Sequence, residues 1–170
     1  YEFADNYLFC YGVAYGADGN MYGPDMNCAF AGTVYDGYGY GINSPAMGKC
    51  MNKYLTEIGD EKRAIVLSGE SLDDLCQKYV ANDIPVMVWV TTYMDEPYEK
   101  FSWIVEYVDE NAKHEIGDTE VWLQNEHCMM LCGFDEDYYY FGDSVSGGIS
   151  QFSKEISQER YAQLGYQAIV

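Results

Sequence analysis

The feature that most constrains this chain lies between Asn125 and Val145, where the sequence reads NEHCMMLCGFDEDYYYFGDSV. Two apolar runs, residues 127–134 and 138–143, flank the acidic turn Asp135–Asp137. Each run is too short for a helix that stands alone, and an acidic turn between two such runs predicts an antiparallel hairpin. Side chains alternate between the faces of a strand, so the length of the turn decides which residues share a face. An odd-length loop pairs Phe134 with Tyr138, sets His127 against Val145 and makes Asp143 its diagonal neighbour on the same face. With the loop one residue earlier, His127 and Asp143 are directly opposed. Both arrangements put their Cβ atoms roughly 4.5–8 Å apart, so a carboxylate can reach the imidazole. An even-length loop sends the two to opposite faces.

The remaining sequence supplies what the hairpin packs on. "SPAMGKCMNKYLTEIG" predicts a helix over 44–59, with Ser44 as cap and Pro45 at the first helical position. Its apolar stripe is Met47, Cys50, Met51, Tyr54 and Leu55. "AIVLSG" follows as a short strand. "SLDDLCQKYVAND" predicts a second helix: Ser71 caps, Asp74 completes a box-like pattern, and Leu72, Leu75, Cys76, Tyr79 and Val80 mark the buried face. Pro85 leads into "VMVWVTTY", apolar on both faces and therefore an interior strand. "FSWIVEYV" and "EVWL" read as strands around the hydrophilic stretch "DENAKHEIGD", where His114 is expected to be solvated. "GGISQFS" predicts another strand, Ser153 caps a helix ending near Leu164, and "YQAIV" closes as a strand. Residues 1–9 have helical spacing, whereas 11–43, rich in Gly and Tyr, read as a long irregular segment of the kind compact domains keep for function. Helices early and an antiparallel sheet late give one α+β domain over residues 1–170.

Charge narrows the partners. The net charge is −19, and no Lys or Arg precedes Lys49. Such a field repels phosphate backbones and anionic lipid, which argues against nucleic-acid and membrane partners; it favours cationic peptides or proteins, although strong acidity more often serves solubility alone. No apolar run approaches the roughly 20 residues that span a bilayer, so no membrane insertion is expected. The chain begins with Tyr1 instead of Met, and a processed or truncated N-terminus is expected, any targeting segment being already removed.

The six cysteines are Cys10, Cys28, Cys50, Cys76, Cys128 and Cys132, and none forms a CxxC pair. With only His114 and His127 as imidazole donors, no metal site and no organic cofactor is expected. Cys128 and Cys132 would lie about 13 Å apart along one strand, beyond the roughly 7 Å limit of a disulfide, and both are assigned to core packing. Cys10 and Cys28, in loop-like sequence, can pair or stay free. "DGNMYG" at Asp18 has Ala29 where a calcium loop needs Glu and is discarded.

The chemistry of the hairpin rests on His127 and Asp143. A carboxylate that holds one ring nitrogen fixes the tautomer and orientation of a histidine serving as general base, which is what a nucleophile needs. Without a nucleophile the pair is only an imidazole beside a carboxylate.

Three segments together are similar to the C39-like family of papain-fold cysteine peptidases: "SLDDLCQKYVANDIPVMVWVTT", "EHCMMLCGFDEDYYYFGD" and "SKEISQERYAQLGYQAIV". The resemblance covers nearly the whole chain and is best from residue 70 onward. It implies a papain-like fold with N-terminal helices packed on an antiparallel sheet, and hydrolysis of peptide bonds at a Cys-His-Asp site. His127 takes the place of the base and Asp143 that of its orienting carboxylate, although Gly142-Asp143-Ser144 stands where the family usually has Asn-Asp-Pro. The family's nucleophile sits in a Gly-Cys-Glu-like motif that nothing in this chain matches, so the resemblance puts the cysteine upstream of Tyr1 and makes the chain alone inactive. Cys28, in "PDMNCAFAG", is the least unsuited of the six as a substitute. The resemblance further implies a bacterial, exported protein. Two other readings use the same fold: a non-catalytic peptide- or protein-binding module, and an acyl transferase.

Overall fold

The computed structural model describes residues 2–35 and 37–170. Tyr1, within the first expected helix, and Asp36, within one expected Gly/Tyr turn, lie outside the described residues. From the N-terminus, α1 (Glu2–Asn6) precedes β1 (Cys10–Tyr11), β2 (Ala14–Tyr15), β3 (Met21–Pro24), β4 (Phe30–Gly32), β5 (Gly39–Gly41) and the helix α2 (Ser44–Glu57). Next come β6 (Val66–Ser68), α3 (Leu72–Lys78), β7 (Val86–Thr91), β8 (Tyr98–Tyr107) and β9 (Thr119–Gln124). The chain ends with β10 (Glu126–Phe134), β11 (Tyr138–Asp143), β12 (Gly148–Ser153), α4 (Lys154–Gln163) and β13 (Gln167–Ile169). These elements form two compact units, Tyr1–Ala64 with Glu99–Leu123, and Ile65–Tyr98 with Gln124–Val170. The class is α+β, with mostly antiparallel sheets.

The second unit is built on a sheet of order β12-β11-β10-β7-β13-β6, antiparallel throughout. As its two apolar faces predict, β7 is interior, between β10 and β13. Val86, Val88 and Val90 of β7, Met129 and Leu131 of β10, and Tyr139 and Phe141 of β11 pack with Leu72, Leu75 and Cys76 of α3 and Tyr161 of α4. α3 starts where its sequence says: Ser71 Oγ accepts from the Asp74 amide at 3.1 Å and donates to the Asp74 carboxylate at 2.7 Å. Ser153 caps α4 by accepting from the Ile156 amide.

The hairpin forms, but its loop is even. Asp135 N–H donates to Tyr138 O, so the loop proper is Glu136-Asp137, and Phe134 pairs with Tyr139 instead of Tyr138. On parity alone this would part His127 from Asp143. The ladder corrects itself by a bulge: Gly133 faces Tyr140, yet Leu131 faces Phe141, leaving Cys132 as the extra residue. Cys132 is therefore exposed, with its thiol donating to Tyr140 O at 3.4 Å, and does not pack in the core as expected. Phe134 and Leu131 both turn to the core, and so do Met129 and His127 beyond them.

The first unit corrects two further expectations. Residues 11–43 are not irregular: they carry β1 to β5, with β1 parallel to β4 and β3 parallel to β8. Met26, Ala31 and Trp103 form the centre of a small core, and Trp103 Nε1 donates to Pro24 O at 2.8 Å. Gly32, at φ +90°, lies so near the Tyr38 carbonyl that a Cβ would overlap it. α2 begins one residue earlier than its sequence suggests: Asn43 is the N-cap residue, Ser44 is already helical, and the Asn43 amide group donates to Asn27 Oδ1. Its buried residues are Ser44, Ala46, Gly48 and Cys50, so of the expected stripe only Cys50 is fully buried. No helix among the described residues is long and apolar enough to cross a membrane.

Candidate functional site

The approach to the site is set by Asn125, between β9 and β10. It adopts φ +75°, a left-handed conformation that asparagine tolerates better than most residues. Its carbonyl accepts from the Thr92 amide at 2.9 Å, and its side chain donates to Glu96 O at 3.1 Å. β10 then runs along β7 with His127 opposite Val90, on the core face at the end of the sheet. Asp143 ends β11, paired with Gly148 of β12.

The two residues meet. His127 Nε2 lies 2.9 Å from Asp143 Oδ1, and the side chains are 14% and 1% exposed respectively. Oδ1 also accepts from the Val145 amide at 2.9 Å, and Oδ2 accepts from Ser150 Oγ at 3.2 Å. Ser150 Oγ is in turn 3.0 Å from Ser146 Oγ. Burial pushes the Asp143 carboxyl up, but the hydrogen bonds from His127, Val145 and Ser150 outweigh it and hold the group below the usual carboxylate range. An ionised Asp143 only accepts, so the bond requires the proton on Nε2 and leaves Nδ1 as the basic nitrogen. The departure from the family's Asn-Asp-Pro does not undo this turn, because the donor to Asp143 is the amide of Val145 and not that of Ser144.

Ser150 and Ser146 were not singled out by their sequence. The signal was there in part: once Asp143 pairs with Gly148, Phe141 pairs with Ser150, and all four share one face.

All six cysteines are free thiols. Burial pushes Cys28, Cys76 and Cys128 each up to about 12 and also raises Cys10. Cys28 accepts from the Asp109 amide at 3.2 Å, Cys50 is buried on α2, and Cys128 faces away from His127 along β10. For Cys10, Cys28, Cys76 and Cys128 burial disfavours the thiolate, the opposite of what activates a thiol.

His114 is not solvated as its neighbourhood suggested. Its side chain is 19% exposed, with Nδ1 3.3 Å from Asp25 Oδ2 and 3.5 Å from Glu120 Oε2. Asp25 lies in the Gly/Tyr-rich segment and Glu120 on β9, so sequence distance hid the cluster.

A sequence model of the Peptidase_C39 like family matches residues 2–169. The chain belongs to this family. A crystal structure described as a candidate C39-like peptidase from Bacillus anthracis shares the fold of this C39-like chain, with a TM-score of 0.73 at 24% identity. The match covers 99% of this chain and 76% of that one. No curated protein matches the C39-like chain significantly.

Proposed function

We propose that this chain is the base-bearing part of a cysteine peptidase, with His127 as general base and acid and Asp143 as the residue that orients it. The observation that carries the reading is the 2.9 Å bond from Nε2 to a buried carboxylate that two further donors hold in place. Membership of a peptidase-like family agrees with it.

In this reading a cysteine in polypeptide preceding Tyr1 passes its proton to His127 Nδ1. The thiolate attacks the carbonyl carbon of a peptide bond, and the imidazolium gives the proton to the departing amine. Water, deprotonated by the same nitrogen, then attacks the thioester and restores the thiol. Asp143 keeps the Nε2 proton in place and stabilises the imidazolium between the two steps. The substrate is a peptide or protein, and the steps require no metal or organic cofactor. Residues 1–170 alone hydrolyse nothing on this view. The competing reading, a binding module without chemistry, draws its support from the local settings of the six cysteines.

The test uses the full-length parent protein and a thiol-directed electrophile, read by mass spectrometry. One cysteine upstream of Tyr1 should be modified, and His127→Ala should slow that modification by about 10²-fold or more. Modification spread over Cys10, Cys28 and Cys132, or unaffected by His127→Ala, would leave the binding module standing.

A further inference from the structure

Three side chains of the first unit converge, and the peptidase reading uses none of them. Asp25 and Glu120 bring buried carboxylates, with side chains 0% and 6% exposed, and His114 brings a ring nitrogen. Their three nearest ligand atoms all lie within 4.8 Å of one another. His114 Nδ1 is itself buried and makes no hydrogen bond. Asp25 Oδ2 accepts from the amides of Lys113 and His114 at 2.7 Å each, and Oδ1 from that of Asn27 at 2.7 Å. Glu120 Oε2 accepts from the amide of Met26 at 3.0 Å. These donors orient the carboxylates but bring no formal charge. Among the described residues, no Lys or Arg ion-pairs with either carboxylate; His114 alone does.

We propose that Asp25, His114 and Glu120 form a binding site for a divalent transition-metal ion, zinc being the best fit. The two nitrogen–oxygen separations match the edge of a tetrahedron with bonds of about 2.0–2.2 Å, which is about 3.3 Å. One neutral imidazole and two carboxylates cancel the charge of such an ion, which is what two adjacent buried anions lack. The mixed donor set favours zinc over calcium, which takes about 6–8 oxygens, and over magnesium, which keeps most of its water. Water would complete the fourth position. The backbone amides then act as an outer shell that fixes both carboxylates. The site ties the segment after β3 to the β8–β9 connection and to β9 itself, elements far apart in sequence. Its role is to hold the first unit together. The sequence-based expectation of no metal counted cysteines and histidines and could not see these carboxylates meet.

The test strips the protein with a chelator and titrates it with zinc chloride by calorimetry, alongside His114→Ala, Glu120→Gln and His127→Ala. One zinc per chain is expected, with a higher Tm in its presence. His114→Ala and Glu120→Gln should bind at least about tenfold more weakly, and His127→Ala should bind as the parent does. Cobalt in place of zinc should give the strong visible bands of a four- or five-coordinate ion without a thiolate charge-transfer band. This spectrum needs no variant and holds even if one fails to fold. Absence of stoichiometric zinc, binding that survives both substitutions or is lost with His127→Ala, a weak octahedral cobalt spectrum, or a thiolate band would each overturn the site. All these readouts concern the first unit and are independent of peptidase activity.

Discussion

The carboxylate of Asp143 collects donors from three places in the chain: His127 on β10, Val145 in the following turn and Ser150 on β12. Each net hydrogen bond of this kind is worth about 1 kcal/mol, and more when the acceptor is ionised. Their combined effect on its ionisation has a fixed sign. Burial alone would raise the group, yet the three donors hold it below the usual range. A carboxylate lowered in the folded state stabilises the fold above its unfolded value of about 3.9, and loses that contribution as the pH falls through the lower folded value. Urea unfolding at about pH 5, 4, 3 and 2 should therefore show stability falling, and Asp143→Asn should make the fall shallower. Equal slopes for the two proteins would mean that Asp143 is not held as described. That His127 and Asp143 are able to meet was legible from their residue types and spacing. Ser150 was not, because its place depends on the register of a third strand.

At the scale of the hairpin, the strands were legible and their parity was not. Sequence predicted the apolar runs, the acidic turn and an interior β7, all of which depend on local pattern. Two errors then cancelled: the loop is even where an odd one was needed, and the bulge at Cys132 restores the shared face of His127 and Asp143. Nothing local distinguishes Cys132 from Cys128, two cysteines in one apolar strand with opposite fates. Deleting each residue tests this account. Without Cys132 the pairs Gly133–Tyr140 and Leu131–Phe141 become a regular ladder, and the faces upstream do not change. This deletion should cost about 1–2 kcal/mol and keep the downfield Nε2 proton resonance of a His127 bonded to Asp143. Deleting Cys128 moves His127 to the opposite face and should abolish that resonance. The reverse pattern would show that the bulge does not set the face.

For the molecule as a whole, class and family were readable, whereas the order within residues 11–43 was not. β3 lies parallel to β8, with Tyr22 against Ile104, and Gly23 accommodates Trp103; such contacts leave no trace in the local pattern of a Gly/Tyr-rich segment. Charge, by contrast, is fully visible in the sequence and makes a global prediction. There are 28 acidic and 9 basic residues, so most carboxylates have no cation to pair with. Pairs such as Lys49 with Asp109 and Glu110, or Lys78 with Glu70, are largely exposed on the lysine side and contribute little. Self-repulsion at a net charge of −19 therefore opposes the compact state more than these pairs support it. Raising sodium chloride from about 20 mM to about 500 mM shortens the screening length from about 20 Å to about 4 Å. With chelator present throughout, so that no bound cation contributes, Tm should rise by about 2–8 °C over that range, as relief of about 1–2 kcal/mol gives for a chain of this size. A scanning calorimeter reads this directly. A Tm that stays level or falls would mean that the exposed ion pairs outweigh the repulsion, since screening weakens both and only their balance fixes the sign.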